Sequence, residues 1–91
     1  MPLSFPNATR NWDAAAKAVV FPAIDGTKAV RCLVTVDALI EHFGAPRGAD
    51  GDHAVRAFDR CRPVIEETAF LKYARRRLEA NGDVKLGPGD F

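Results

Sequence analysis

Residues 17–36, KAVVFPAIDGTKAVRCLVTV, decide the fold. They concentrate β-branched and aromatic residues on both sides of Asp25-Gly26, and apolar/polar alternation around an Asp-Gly step signals a β-hairpin. If Asp25-Gly26 is itself the loop, Val19, Phe21 and Ala23 lie opposite Cys32, Val30 and Lys28. A four-residue loop, 24–27, keeps that pairing, and a loop extended to Lys28 shifts it by two. Either way the same side chains share a face, because only an odd shift would turn them over. The inner face therefore reads Val19, Phe21, Val30, Cys32, Val34 and Val36. Pro22 has no N–H to give, and the four-residue loop or a bulge turns its nitrogen away from the partner strand, so the longer loop is favoured. On the opposite face Val20, Ile24 and Leu33 mix with Thr27, Arg31 and Thr35, which predicts partial cover.

Before the hairpin, residues 1–7 offer Leu3 and Phe5 between two prolines, suited to a short extended edge piece. Residues 8–16 read as a reversal into the first strand, with Trp12 closing one end of the core. After the hairpin, residues 37–43 predict a short helix. Asp37 would accept first-turn amides, Gly44 would take the left-handed cap, and Leu39 and Phe43 would face the hairpin. Residues 45–51, APRGADG, form a loop of breakers.

Residues 52–80 carry one long helical pattern. Ala54, Ala57, Phe58, Cys61, Val64, Ile65, Thr68 and Ala69 fall within an arc of roughly 140°. Pro63 costs a backbone bond and is expected to kink this helix rather than divide it. Beyond Ala69 the pattern changes, with Phe70 and Tyr73 on the formerly polar side. About 43 Å of helix would outrun a body of roughly 30 Å. Phe70, Tyr73 and Leu78 are therefore the candidate partner surface. Asn81-Gly82 ends the helix, Val84-Lys85-Leu86 predicts a short strand, and residues 87–91 a closing turn. The whole reads as one α+β domain over 1–91. A small antiparallel sheet built on the 17–36 hairpin is packed by helices 37–43 and 52–80, with short terminal strands.

Composition narrows the function. A net charge of +1 with 47% apolar residues gives no electrostatic reason to expect nucleic acid or an anionic membrane. Two cysteines are too few for a disulfide scaffold and suit reduced thiols in a cytosol. Residues 1–16 hold no basic segment followed by an apolar run, so no signal peptide is expected, and no apolar run suits a membrane span. Cys32, Cys61, His42 and His53 lack zinc-site spacing, and both cysteines fall on predicted core faces. No metal, cofactor or catalytic residue is expected. Lys72, Arg75, Arg76 and Arg77 are the candidate anion-contacting cluster, although consecutive arginines on a helix point in different directions and can simply complement its C-terminal dipole. The leading reading is a cytoplasmic, non-catalytic interaction module that binds itself, as a homodimer, or another protein. A nucleic-acid-binding accessory protein comes second and a small enzyme last.

Several stretches together resemble a small bacterial family, domain of unknown function 1488. They are Leu3-Ser4-Phe5-Pro6-Asn7 with Trp12-Asp13, then Phe21-Pro22-Ala23 followed by Asp25-Gly26, and Cys32. Ala57-Phe58-Asp59-Arg60-Cys61-Arg62-Pro63-Val64-Ile65-Glu66 and the ending Val84-Lys85-Leu86 with Asp90-Phe91 are similar too. The resemblance implies a compact α+β domain of the bacterial cytoplasm and carries over no catalytic or binding residue.

Overall fold

The hairpin forms as β2 (Ala18–Asp25) and β3 (Lys28–Thr35) in the computed structural model, which describes residues 3–6 and 9–91. Its turn is tighter than the favoured loop. Asp25 pairs with Lys28, leaving Gly26-Thr27 at the tip, and Gly26 takes φ +65°. The register is thus the one shifted by two, with Phe21 opposite Cys32 and Val19 opposite Val34. The inner face survives the shift: Val19, Phe21, Val30, Cys32 and Val34 are buried and Val36 packs at their margin. Pro22 is accommodated here as well. Two residues on, Ile24 exchanges both backbone hydrogen bonds with Ser4 on the side away from β3, and alternate residues direct their N–H the same way. The missing donor of Pro22 therefore points outward.

Two short strands complete the sheet. β1 (Asn11–Asp13) pairs antiparallel with β2 and sets Trp12 beside Val19. The reversal expected over 8–16 follows this strand, at 14–17, where the Asp13 carboxylate accepts from the amides of Ala15 and Ala16 at 3.0 and 3.1 Å. Met1, Pro2, Asn7 and Ala8 lie outside the described residues. β4 (Val84–Leu86) joins β3 in parallel, with Cys32 beside Val84 and Val34 beside Leu86. The sheet is therefore mixed, in the order β1-β2-β3-β4, rather than antiparallel throughout. A strand that returns by way of helices, not a tight turn, can run in the same direction as its neighbour.

Both helices follow β3. α1 (Val36–His42) starts at Thr35, whose hydroxyl accepts from the Ala38 amide at 3.3 Å, so the cap is Thr35 and not Asp37. Gly44 takes φ +75°, as its place after the helix predicts. α2 (Gly51–Ala74) is one helix bent at Cys61, which alone leaves helical geometry with φ −118° and ψ 16°. Pro63, two residues on, cannot donate to the Asp59 carbonyl, which accounts for a bend at this turn. Ala54, Ala57 and Phe58 are buried before the bend, and Ile65, Ala69 and Tyr73 after it. The Phe58 ring lies 5.0 Å from that of Phe21, at the centre of the core.

α2 ends six residues short of the expected Ala80. The N–H of Arg76 donates to Tyr73 O at 2.9 Å and that of Arg77 to Lys72 O at 3.2 Å, with Arg76 at φ +57°. This is the paired helix-ending motif that normally places glycine in the left-handed position. The 24 residues make about 36 Å of helix, and the molecule's longest dimension is 36 Å, so nothing overhangs. A 3-10 turn, Pro88–Asp90, follows β4.

Candidate functional site

The face of the sheet turned away from the inner side chains carries a roof of charge. Arg31 on β3 reaches Asp13 on β1 at 3.0 Å and Asp83 before β4 at 2.7 Å, tying three parts of the sheet together. Leu33 on this face is only 5% exposed, in a groove it shares with Ala15, Ala16, Glu79 and Ala80. Beside the clamp is an apolar depression of about 320 Å³, floored by Val20, Pro22, Ala23, Ala29 and Val30 and edged by Arg31 and Asn11.

The strand edges are guarded. Both outer strands are three residues long. Lys72 donates to the Lys85 carbonyl of β4 and to Asp90 at 3.0 Å, and Asp90 in turn accepts from the Gly87 amide at 2.7 Å. A lysine set against a short edge strand opposes pairing with another chain. The same turn is held from the other side, where His42 Nε2 meets Pro88 O at 2.9 Å and Phe91 packs edge-on to Phe43 at 4.9 Å.

The candidate partner surface is not bare. Tyr73 is 2% exposed, and its hydroxyl donates to Asp25 at the hairpin turn. That hydrogen bond, with burial, holds the phenol above its ordinary pKa. Phe70 and Leu78 are partly buried against the same core. The bend at Cys61 re-aims the second half of α2, so Tyr73 continues the buried line of Ile65 and Ala69. Among the described residues the large apolar side chains left exposed are Val64 and Leu71, on the outer side of α2. Sequence reasoning missed the Tyr73–Asp25 and Arg31–Asp83 pairs because 48 and 52 residues separate their members, and Asp25 also reads as an ordinary turn residue.

The basic cluster is divided. Arg76 lies 5.3 Å from the centre of the Tyr73 ring, and Lys72 is occupied by Asp90 and Lys85. Arg75 and Arg77 are exposed and line one groove. Elsewhere Arg10 holds Asp59 through two bonds of 2.9 Å, which draws the Asp59 carboxyl below its usual range. Arg62 holds Glu66 at 2.7 Å and covers the Phe58 ring.

The cysteines differ more than their sequence positions suggest. Cys32 is fully buried, and burial pushes its thiol up to about 12, whereas Cys61 at the bend is half-buried. The expectation that both are buried thus holds for Cys32 alone, because the bend opens the helix at Cys61. The thiolate is the reactive form, so Cys32 stays protonated and inert through the range in which a free thiol titrates. A thiol reagent at mildly alkaline pH should label Cys61 within minutes and Cys32 only at the rate of unfolding. Equal labelling of both in the native protein contradicts this placement. Among the described residues no three His, Cys, Asp or Glu side chains gather as metal ligands, and His53 sits 3.8 Å from Asp50 on the surface.

Comparison with known proteins agrees with this architecture. The family DUF1488, described as "Protein of unknown function", matches residues 3–86. A crystal structure of a protein of unknown function from the same family, from Shewanella loihica PV-4, superposes with a TM-score of 0.80 at 21% identity, covering 93% of this chain and 91% of that one. No curated protein matches.

Proposed function

Because this chain belongs to the DUF1488 family, whose function is unknown, we propose from its surface that it is a non-catalytic protein-interaction module whose partner is a second copy of itself. The observation that carries this reading is the sheet face with its apolar depression at Val20, Pro22 and Ala29. Guarded edges disfavour strand-to-strand pairing, so two copies would meet face to face. A twofold arrangement of identical faces is the commonest soluble assembly. A net charge of +1 offers little repulsion between copies. The alternative, a nucleic-acid accessory protein, needs a continuous positive surface, and the acids paired with Arg10, Arg31, Arg62 and Lys72 interrupt it.

The reading includes a place in the bacterial cytosol. Two unpaired thiols suit a reducing compartment, and no helix among the described residues is long and apolar enough to cross a membrane. Val20→Glu tests the partner, because this half-buried position sits on the outer face and away from the core. The wild-type protein should sediment as a dimer at high micromolar concentration. The variant should sediment as a monomer with an unchanged circular dichroism spectrum. A wild-type protein that stays monomeric overturns the self-pairing.

A further inference from the structure

Three consecutive arginines on a continuing helix would diverge, with Arg75 and Arg77 about 200° apart. The left-handed turn at Arg76 removes that obstacle. It stops α2 at Ala74, lays Arg76 against the Tyr73 ring, and leaves Arg75 and Arg77 lining the same groove as Lys72. The groove, about 220 Å³, runs between the last turns of α2 and the Pro88–Asp90 turn, with Thr68, Leu71, Gly89 and Asp90 completing its walls.

We propose that this groove is a binding site for a single phosphate group, carried by a small phosphate ester or free in solution. Charge is the first reason. Lys72, Arg75 and Arg77 against Asp90 leave two net positive charges, and a phosphate monoester carries about −1.5 to −2 at neutral pH. Availability is the second. Arg10, Arg31 and Arg62 are bound to acids, whereas among the described residues neither guanidinium in this groove has an acidic partner. Planar guanidinium forks match phosphate oxygens two at a time. Asp90 fixes the Lys72 ammonium in place, so the site has one rigid cation and two that can close on a ligand. Backbone is the third. A left-handed arginine costs energy that a glycine would not, and such positions persist where the surrounding structure requires them. The volume suits one phosphate with a small body attached. A nucleic-acid strand would instead need cations spaced along several phosphates.

Isotope-labelled protein titrated with inorganic phosphate, at constant ionic strength against chloride, tests the site. The amides of Thr68, Leu71, Arg75 and Gly89 should shift together and saturate. Arg75→Ala with Arg77→Ala should weaken binding at least about tenfold, since each removes charge-assisted hydrogen bonds. Arg47→Ala with Arg56→Ala removes the same charge from exposed positions elsewhere and should leave binding unchanged. AMP identifies the source: tighter binding than inorganic phosphate points to an ester, and equal binding to the free ion. Shifts that fail to saturate overturn the proposal, as does equal weakening by the two double variants. A single-stranded oligonucleotide that binds far more tightly, with a salt dependence of several phosphates, replaces it with a nucleic-acid surface.

Discussion

Phe58→Ala should cost about 3–5 kcal/mol of folding stability, the usual range for deleting a buried phenyl ring. A domain of this length is stable by only about 5–14 kcal/mol, so the variant should lie near the edge of folding at body temperature. The size follows from position. Phe58 is fully buried, its ring meets Phe21 at 5.0 Å, and Phe21 meets Phe5 at 6.0 Å in turn. Removing the Phe58 ring leaves a cavity between α2 and the hairpin, and it also strips Arg62 of the ring it covers at 5.1 Å. Denaturant unfolding measures the loss, with Phe58→Leu as the milder comparison. A Phe58→Ala midpoint within error of wild type would mean that Phe58 is not the keystone of this core.

Leu86→Ala is the second large effect, at about 2–5 kcal/mol. Leu86 has no exposed surface although it lies on an outer strand of three residues. It stands beside Val34 on the inner face, so its loss opens the sheet as well as the core. Amide exchange should separate the two consequences. Val84, Lys85 and Leu86 should exchange faster together with the Pro88–Asp90 turn, while the β2–β3 ladder stays protected up to global unfolding. Uniform acceleration across the ladder would show instead that β4 is no separate unit.

The hairpin was legible because period-two alternation survives a register error of two, and so the face assignment held while the turn moved to Gly26-Thr27. β4 was legible as a strand but not in direction, since three residues say nothing about the route by which they return. β1 was hidden, because Asn11-Trp12-Asp13 is too short to show alternation and three helix-prone alanines follow it. The end of α2 was misplaced for a specific reason. Arginine occupies the left-handed position at 76, where glycine would have marked the stop, and the conspicuous Asn81-Gly82 lies beyond it. Tyr73 went with that error. A pattern drawn through an unbent helix puts its ring on the polar side, and only the break at Cys61 returns it to the core. The basic groove was legible as a cluster but not as a site, since its convergence depends on that same unmarked turn.

The parallel pairing of β4 also bears on how the chain is made. Synthesis runs from the N-terminus, so the hairpin segment is made first, and the pairing of β4 with β3, 52 residues apart from Cys32 to Val84, closes late. Until then the far edge of β3 has no neighbour, and the apolar side chains of Cys32 and Val34 lie open next to unpaired backbone. A chain in that state presents an open edge to which a strand from another chain can add. The vulnerable interval in the folding of this protein is therefore the one before β4 docks on β3.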